Sequence, residues 1–154
     1  MSELIFETAS AEETQLLGAR IAAMLEPGDV VLLHGDLGAG KTTLTQGIGS
    51  ALGMPQLAQS PTFSLMVDTP LPNGAVLRHI DLYRLEDPAE LEALGFEELI
   101  GDPDAITLIE WPERASGMLP DAYVLIELDP SGPDRRTIRV TPVNFEDRSL
   151  RIGM

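Results

Sequence analysis

Between residues 30 and 52 the chain reads as strand, glycine loop and helix in immediate succession, an order that few folds accommodate. Val30, Val31, Leu32 and Leu33 form the short apolar run of a buried strand, while Leu44, Ile48, Ala51 and Leu52 recur at helical spacing. Between them, Gly35-Asp36-Leu37-Gly38-Ala39-Gly40-Lys41-Thr42 satisfies G-x-x-x-x-G-K-[ST], with Thr43 directly after it. Gly35, Gly38 and Gly40 permit backbone angles closed to other residues. Successive N–H groups can therefore turn inward and, with the N-terminus of the following helix, form a concave site for phosphate oxygens. Lys41 is the only lysine; the other basic side chains are nine arginines. A single mobile ammonium placed where β- and γ-phosphates would lie serves chemistry rather than solubility. Thr42 adds a hydroxyl of the kind that ligates Mg²⁺ in such loops.

Composition narrows the remaining choices. With 154 residues, 44% of them hydrophobic, the chain suits one compact domain spanning 1–154. No apolar run approaches the ~20 residues of a membrane span, and Met1-Ser2-Glu3-Leu4 does not begin a basic-then-apolar leader, so a cytoplasmic protein without membrane contact is expected. The absence of cysteine excludes disulfides and thiolate metal sites, and two histidines leave little for zinc. The expected metal is Mg²⁺ held by oxygen. A formal charge of −15 repels polyphosphate, so no DNA partner is expected and any RNA should be held by another protein. Arg135, Arg136, Arg139, Arg148 and Arg151 cluster in the last twenty residues, where they read as solubility and edge protection for a final strand.

Ser10 and Glu13 form a capping box for a helix over Ala11 to Leu25, stopped by Pro27-Gly28. After the loop helix, Phe63, Leu65 and Val67 alternate with polar neighbours, Pro72-Asn73-Gly74 supplies a turn, and Val76 to Leu82 returns as a strand. Asp87, Pro88 and Glu90 start a short acidic helix through Leu94 that Gly95 ends. Ala105–Ile109, Tyr123–Leu128 and Thr137–Val140 read as further strands, with turn material from Asp129 to Asp134 and a frayed tail from Phe145. A hairpin inside an alternating α/β pattern predicts a mixed sheet, with a parallel core and added antiparallel strands.

A phosphate loop needs an acid near its Mg²⁺, commonly at the end of a neighbouring strand. Glu110 follows Ile106-Thr107-Leu108-Ile109 and fits that position. Asp81 sits in His79-Ile80-Asp81-Leu82-Tyr83-Arg84, where a carboxylate is a poor strand former. It serves Mg²⁺ through water, orients the attacking water, or pairs with Arg84 or Arg78. His79 reads as a phosphate contact, a transmitting residue or a structural histidine. In Ser60-Pro61-Thr62-Phe63, Pro61 stiffens a turn that either presents Thr62 to a γ-phosphate or simply enters a strand. Trp111 suits packing or a partner surface.

Taken in order and spacing, the loop, Ser60-Pro61-Thr62-Phe63, His79-Ile80-Asp81-Leu82-Tyr83-Arg84-Leu85 and Ile109-Glu110-Trp111-Pro112 resemble the TsaE family of bacterial ATPases in tRNA threonylcarbamoyladenosine synthesis. The resemblance implies a P-loop NTPase-like three-layer α/β sandwich that binds ATP and Mg²⁺ and hydrolyses ATP slowly on its own. It implies TsaB and TsaD as partners, the pair that transfers a threonylcarbamoyl group to adenosine 37, with tRNA reached only through them. By the same resemblance, Thr42 and Glu110 hold Mg²⁺, Lys41 and the loop amides hold phosphates, and Asp81 and Thr62 help hydrolysis or sense the nucleotide. Arg136 looks similar to the family's C-terminal basic position near the nucleotide. Phe63 departs from the tyrosine that many members carry.

Two other classes use the same loop. A small-molecule kinase normally brings basic residues over the transferring phosphate, whereas residues 85–104 contain no Lys or Arg and eight acidic residues. A guanine-specific switch reads its base with Asn-Lys-x-Asp, which a chain whose sole lysine is Lys41 lacks.

Overall fold

The computed structural model describes residues 3–35, 40–54, 66–83, 85–87, 89–115 and 117–144. Among these, strands β1 (Leu4–Thr8), β2 (Val30–His34), β3 (Met66–Pro70), β4 (Val76–Asp81), β5 (Ala105–Glu110), β6 (Tyr123–Gly132) and β7 (Arg135–Val143) form one sheet in the order β1-β7-β6-β2-β5-β4-β3. The four strands β6-β2-β5-β4 are parallel, and β3 on one side and β7 with β1 on the other run antiparallel to their neighbours. The expected parallel core with antiparallel additions is therefore present. Helices α1 (Ala11–Ala22), α2 (Lys41–Ala51), α3 (Ala89–Leu94) and α4 (Phe96–Ile100), with a 3₁₀ turn at Pro112–Ala115, complete the described elements.

Strand alternation makes the layers. Val31 and Leu33 join a core with Leu17 and Ile21 of α1 and Leu44 and Ile48 of α2, while Val30 and Leu32 join Leu91 of α3 and Phe96 and Ile100 of α4. A strand covered on both faces is continuously apolar, which is why Val30–Leu33 shows no polar alternation. The first pair of helices packs closely because Gly18 and Gly47 lack side chains. A Cβ on Gly18 would stand 2.6 Å from the Leu44 carbonyl oxygen, and one on Gly47 would strike that of Gln15.

Several boundaries differ from the sequence reading. The first helix stops at Ala22, not Leu25; Met24 and Leu25 then turn back into the same core, which prolongs the apolar periodicity without the helix. Gly95 ends α3 but also starts α4, with φ 69°. Strand β1 was not anticipated: Leu4 and Phe6 pack on the core while Ile5 is exposed, a pattern only five residues long. The supposed turn from Asp129 is mostly strand. The β6–β7 ladder runs outward to Gly132 and Arg135 with a register shift at Pro130/Gly132, and its exposed polar residues only resemble a loop. Strand β7 is also not an edge, because β1 covers it. Arg139 reaches Glu3 at 3.1 Å and Glu127 at 3.9 Å, so edge protection does not describe the arginines of β7. Phe63–Leu65, Arg84, Pro88, Arg148 and Arg151 and the tail from Phe145 lie outside the described residues.

Candidate functional site

Parallel strands bring their C-terminal ends to one edge. Leu33 of β2 registers with Glu110 of β5, which registers with Asp81 of β4, so the approach to the glycine loop and both candidate carboxylates share that edge. Gly40 closes the loop at φ 101° as the N-cap of α2, a left-handed conformation that favours glycine. As N-cap, Gly40 brings no side-chain cap to α2, and the first turn of the helix carries no acid, so its leading N–H groups present positive potential to the same edge.

Lys41 opens α2 and is 5% exposed. Its ammonium donates to the Gly35 carbonyl at 2.5 Å and lies 3.8 Å from the centre of the Trp111 ring. Trp111 has φ 59°, unusual for a residue with a side chain, and follows Glu110 directly. The strained turn lays the indole over the ammonium and against Tyr83, whose ring centroid is 5.1 Å away. Trp111 thus belongs to the site, and Tyr83 with it, a residue to which the sequence reading gave no role. The signal was the pairing of aromatic residues with the two acidic strand ends.

Glu110 is 3% exposed, and one of its oxygens, Oε2, stands 2.5 Å from Nε2 of His79. Asp81 is half-buried, and its Oδ1 accepts from the Tyr83 N–H at 3.0 Å. Burial raises the Asp81 carboxyl above the usual carboxylate range; the Tyr83 hydrogen bond opposes this, the Glu110 charge adds to it, and His79 and Lys41 oppose it. Arg78 is not its partner. That buried guanidinium instead holds Asp68 at 2.9 and 3.0 Å, Asp102 at 3.1 Å and the Leu99 carbonyl at 3.0 Å.

Thr42 is exposed at the start of α2, and Thr43 is half-buried beside it. Arg136 comes from β7 yet meets the loop: its Nε lies 3.4 Å from where a Cβ on Gly40 would stand. A recess of about 70 Å³ lies there, lined by Ser10, Ala11, Thr14, Gly40, Thr43, Asp134 and Arg136. The contributions of Ser10, Thr14 and Asp134 were not legible in the sequence, because Ser10 and Thr14 read only as helix residues and Asp134 as turn. Asp36, Leu37, Gly38, Ala39 and Thr62 lie outside the described residues.

The donors near this edge are hydroxyl and carboxylate oxygens, which suit Mg²⁺. Among the described residues no group of three or more His, Cys, Asp or Glu could enclose a metal by itself. Such a set fits an ion that takes much of its shell from phosphate and water. Among the same residues, no helix is long and apolar enough to cross a membrane.

The sequence model for "Threonylcarbamoyl adenosine biosynthesis protein TsaE" matches residues 8–138. A Bacillus subtilis (strain 168) protein named tRNA threonylcarbamoyladenosine biosynthesis protein TsaE is 39% identical over 145 residues, 93% of this chain and 88% of that one. A protein of the same name from Nostoc sp. is 41% identical over 140 residues, 88% of this chain and 84% of its own. The crystal structure of Bacillus subtilis YdiB superposes with a TM-score of 0.77 at 31% identity, covering 99% of this chain and 95% of that one. A family match spanning the glycine loop, Asp81, Glu110 and Arg136 means that this chain belongs to the TsaE family.

Proposed function

We propose that this chain binds ATP with Mg²⁺ at the edge formed by α2, β4 and β5, hydrolyses it slowly, and serves tRNA threonylcarbamoyladenosine formation beside the TsaB and TsaD pair. The observation that carries the reading is Lys41, a buried lysine at a helix N-terminus capped by glycine, at the sheet edge where Asp81 and Glu110 pair in register. Relatives named for tRNA threonylcarbamoyladenosine biosynthesis supply the pathway.

Lys41 and the backbone amides of Gly35, Asp36, Leu37, Gly38, Ala39 and Gly40 bind the phosphates. For this the ammonium exchanges the Gly35 carbonyl for a phosphate oxygen. Thr42 and Glu110 hold Mg²⁺, and Thr43 and Arg136 flank the nucleotide beyond the loop. Mg²⁺-bound ATP supplies a γ-phosphoryl group whose charge is already partly neutralised for attack by water. Asp81 receives the proton from that water, since it is the more exposed of the two carboxylates and burial lifts its basicity, whereas Glu110 is already engaged by His79. Thr62 senses the γ-phosphate.

A net charge of −15 supports tRNA contact through partners rather than directly. A small-molecule kinase is disfavoured, since α3 and α4 are acidic and residues 85–104 offer no cation to a transferring phosphate. Reconstitution with the TsaB–TsaD pair, threonylcarbamoyl donor and tRNA tests the reading. Modification that depends on this chain and on ATP is expected; a phosphorylated metabolite formed without any effect on tRNA would favour the kinase.

A further inference from the structure

We propose that His79 is a positioning residue for Glu110, donating from Nε2 to one carboxylate oxygen and thereby fixing the orientation in which that acid meets Mg²⁺. This rests on the reading of Glu110 as the Mg²⁺ acid.

The sheet dictates the pairing. His79 registers with Leu108 and Asp81 with Glu110, so His79, Asp81 and Glu110 lie on one face of adjacent parallel strands, with His79 one pleat behind the edge. At that depth its neighbours in the strands are Leu77 and Leu108, members of the apolar cluster beneath α2. An imidazole buried there needs a polar partner, and Oε2 of Glu110 stands 2.5 Å from Nε2, with both side chains almost wholly enclosed.

The other ring nitrogen assigns the tautomer. Nδ1 is buried and has no hydrogen-bond partner among the described residues. A proton on Nδ1 would be a buried donor left unsatisfied, while a proton on Nε2 faces a carboxylate oxygen directly. The network therefore puts the proton on Nε2. His79 lies behind Glu110 rather than beside the phosphate edge, so it acts through the acid and does not touch the reacting atoms. Hydrogen bonds of this kind orient metal-binding carboxylates, and their loss typically lowers metal affinity or activity about 10- to 100-fold.

The tautomer can be read in the unaltered protein by long-range ¹H–¹⁵N correlation. Only two histidines are present, and His34→Gln identifies the His79 signals by subtraction. The Nε2–H tautomer is expected; an Nδ1–H tautomer overturns the proposal. A second measurement follows ATP binding by calorimetry against Mg²⁺ concentration and again in EDTA. His79→Leu, which removes the donor, is expected to raise the Mg²⁺ requirement about 10- to 100-fold while leaving affinity in EDTA unchanged. His79→Gln, whose amide places a donor near the former Nε2, is expected to restore most of it. Equal losses in both variants, or no shift in His79→Leu, overturn the role. Glu110→Gln is the reference. A shifted Mg²⁺ requirement there with none in His79→Leu sinks the positioning role alone, while none in Glu110→Gln sinks the assignment of the acid and the proposal with it. Should His79→Leu fail to fold, the tautomer and the Gln variant still decide.

Discussion

The ammonium of Lys41 sits 3.8 Å from the centre of the Trp111 ring, so the chain's only lysine and only tryptophan touch. Drawing Lys41 toward phosphate changes what the indole faces, and tryptophan emission is expected to shift on saturation with Mg²⁺-ATP. Lys41→Ala is expected to abolish the shift and weaken ATP binding at least about 10- to 100-fold, the worth of a hydrogen bond to a charged group. Unchanged emission at a saturating ATP concentration would separate the indole from the nucleotide.

Asp81 and Glu110 are expected to fail differently. Asp81→Asn removes the proton acceptor and should lower turnover by about 10²- to 10⁴-fold with ATP affinity nearly intact. Glu110→Gln should act through the Mg²⁺ requirement instead. Steady-state phosphate release at several Mg²⁺ concentrations separates the two, and a normal turnover number in Asp81→Asn would remove it from the chemistry.

Stability should respond to two aspartates with opposite signs. Burial raises the Asp81 carboxyl above its ordinary 3.8, so between those values the folded chain holds more protons than the unfolded one. Stability therefore falls as pH rises through that window, and Asp81→Asn should gain on the parent there. Asp102 is lowered, chiefly by the Asp104 N–H, against desolvation and with help from Arg78. Its contribution is present above 3.8 and disappears as pH falls through the lowered value, so Asp102→Asn should lose ground as pH climbs to 3.8. Denaturant unfolding of both variants across acidic pH reads these slopes.

Gly47→Ala should destabilise the fold by about 1–3 kcal/mol, because its methyl meets the Gln15 backbone across the α1–α2 contact and one helix must move. Gly74→Ala meets no atom within 4 Å but must hold φ 88°, at about 1–2 kcal/mol. Chemical denaturation should show a lower midpoint in both. A shift in α2 should weaken ATP binding in Gly47→Ala only, because Gly74 lies in the β3–β4 turn, away from the loop.

Much of the site was legible because parallel strands end together: a glycine loop after β2 and acids ending β4 and β5 must meet at one edge, whatever separates them in sequence. The hairpin was legible for an equally local reason, Pro72-Asn73-Gly74 between two apolar runs. What escaped depends on contacts between distant segments. Strand β1 is held by β7, whose paired residues lie 128 to 136 positions later, and neither sequence alone announces the other. Arg136 reaches Gly40 only because the β6–β7 ladder continues past the core through residues whose composition reads as turn. The engagement of Lys41 by Trp111 depends on one left-handed backbone angle that no residue preference would suggest for tryptophan.

Calorimetric titration of the chain with ATP in saturating Mg²⁺ tests the central claim most directly. One nucleotide per chain, bound with measurable heat that Lys41→Ala abolishes, is the expected result. No heat from the parent protein, or equal heat from the variant, would contradict the assignment of the site.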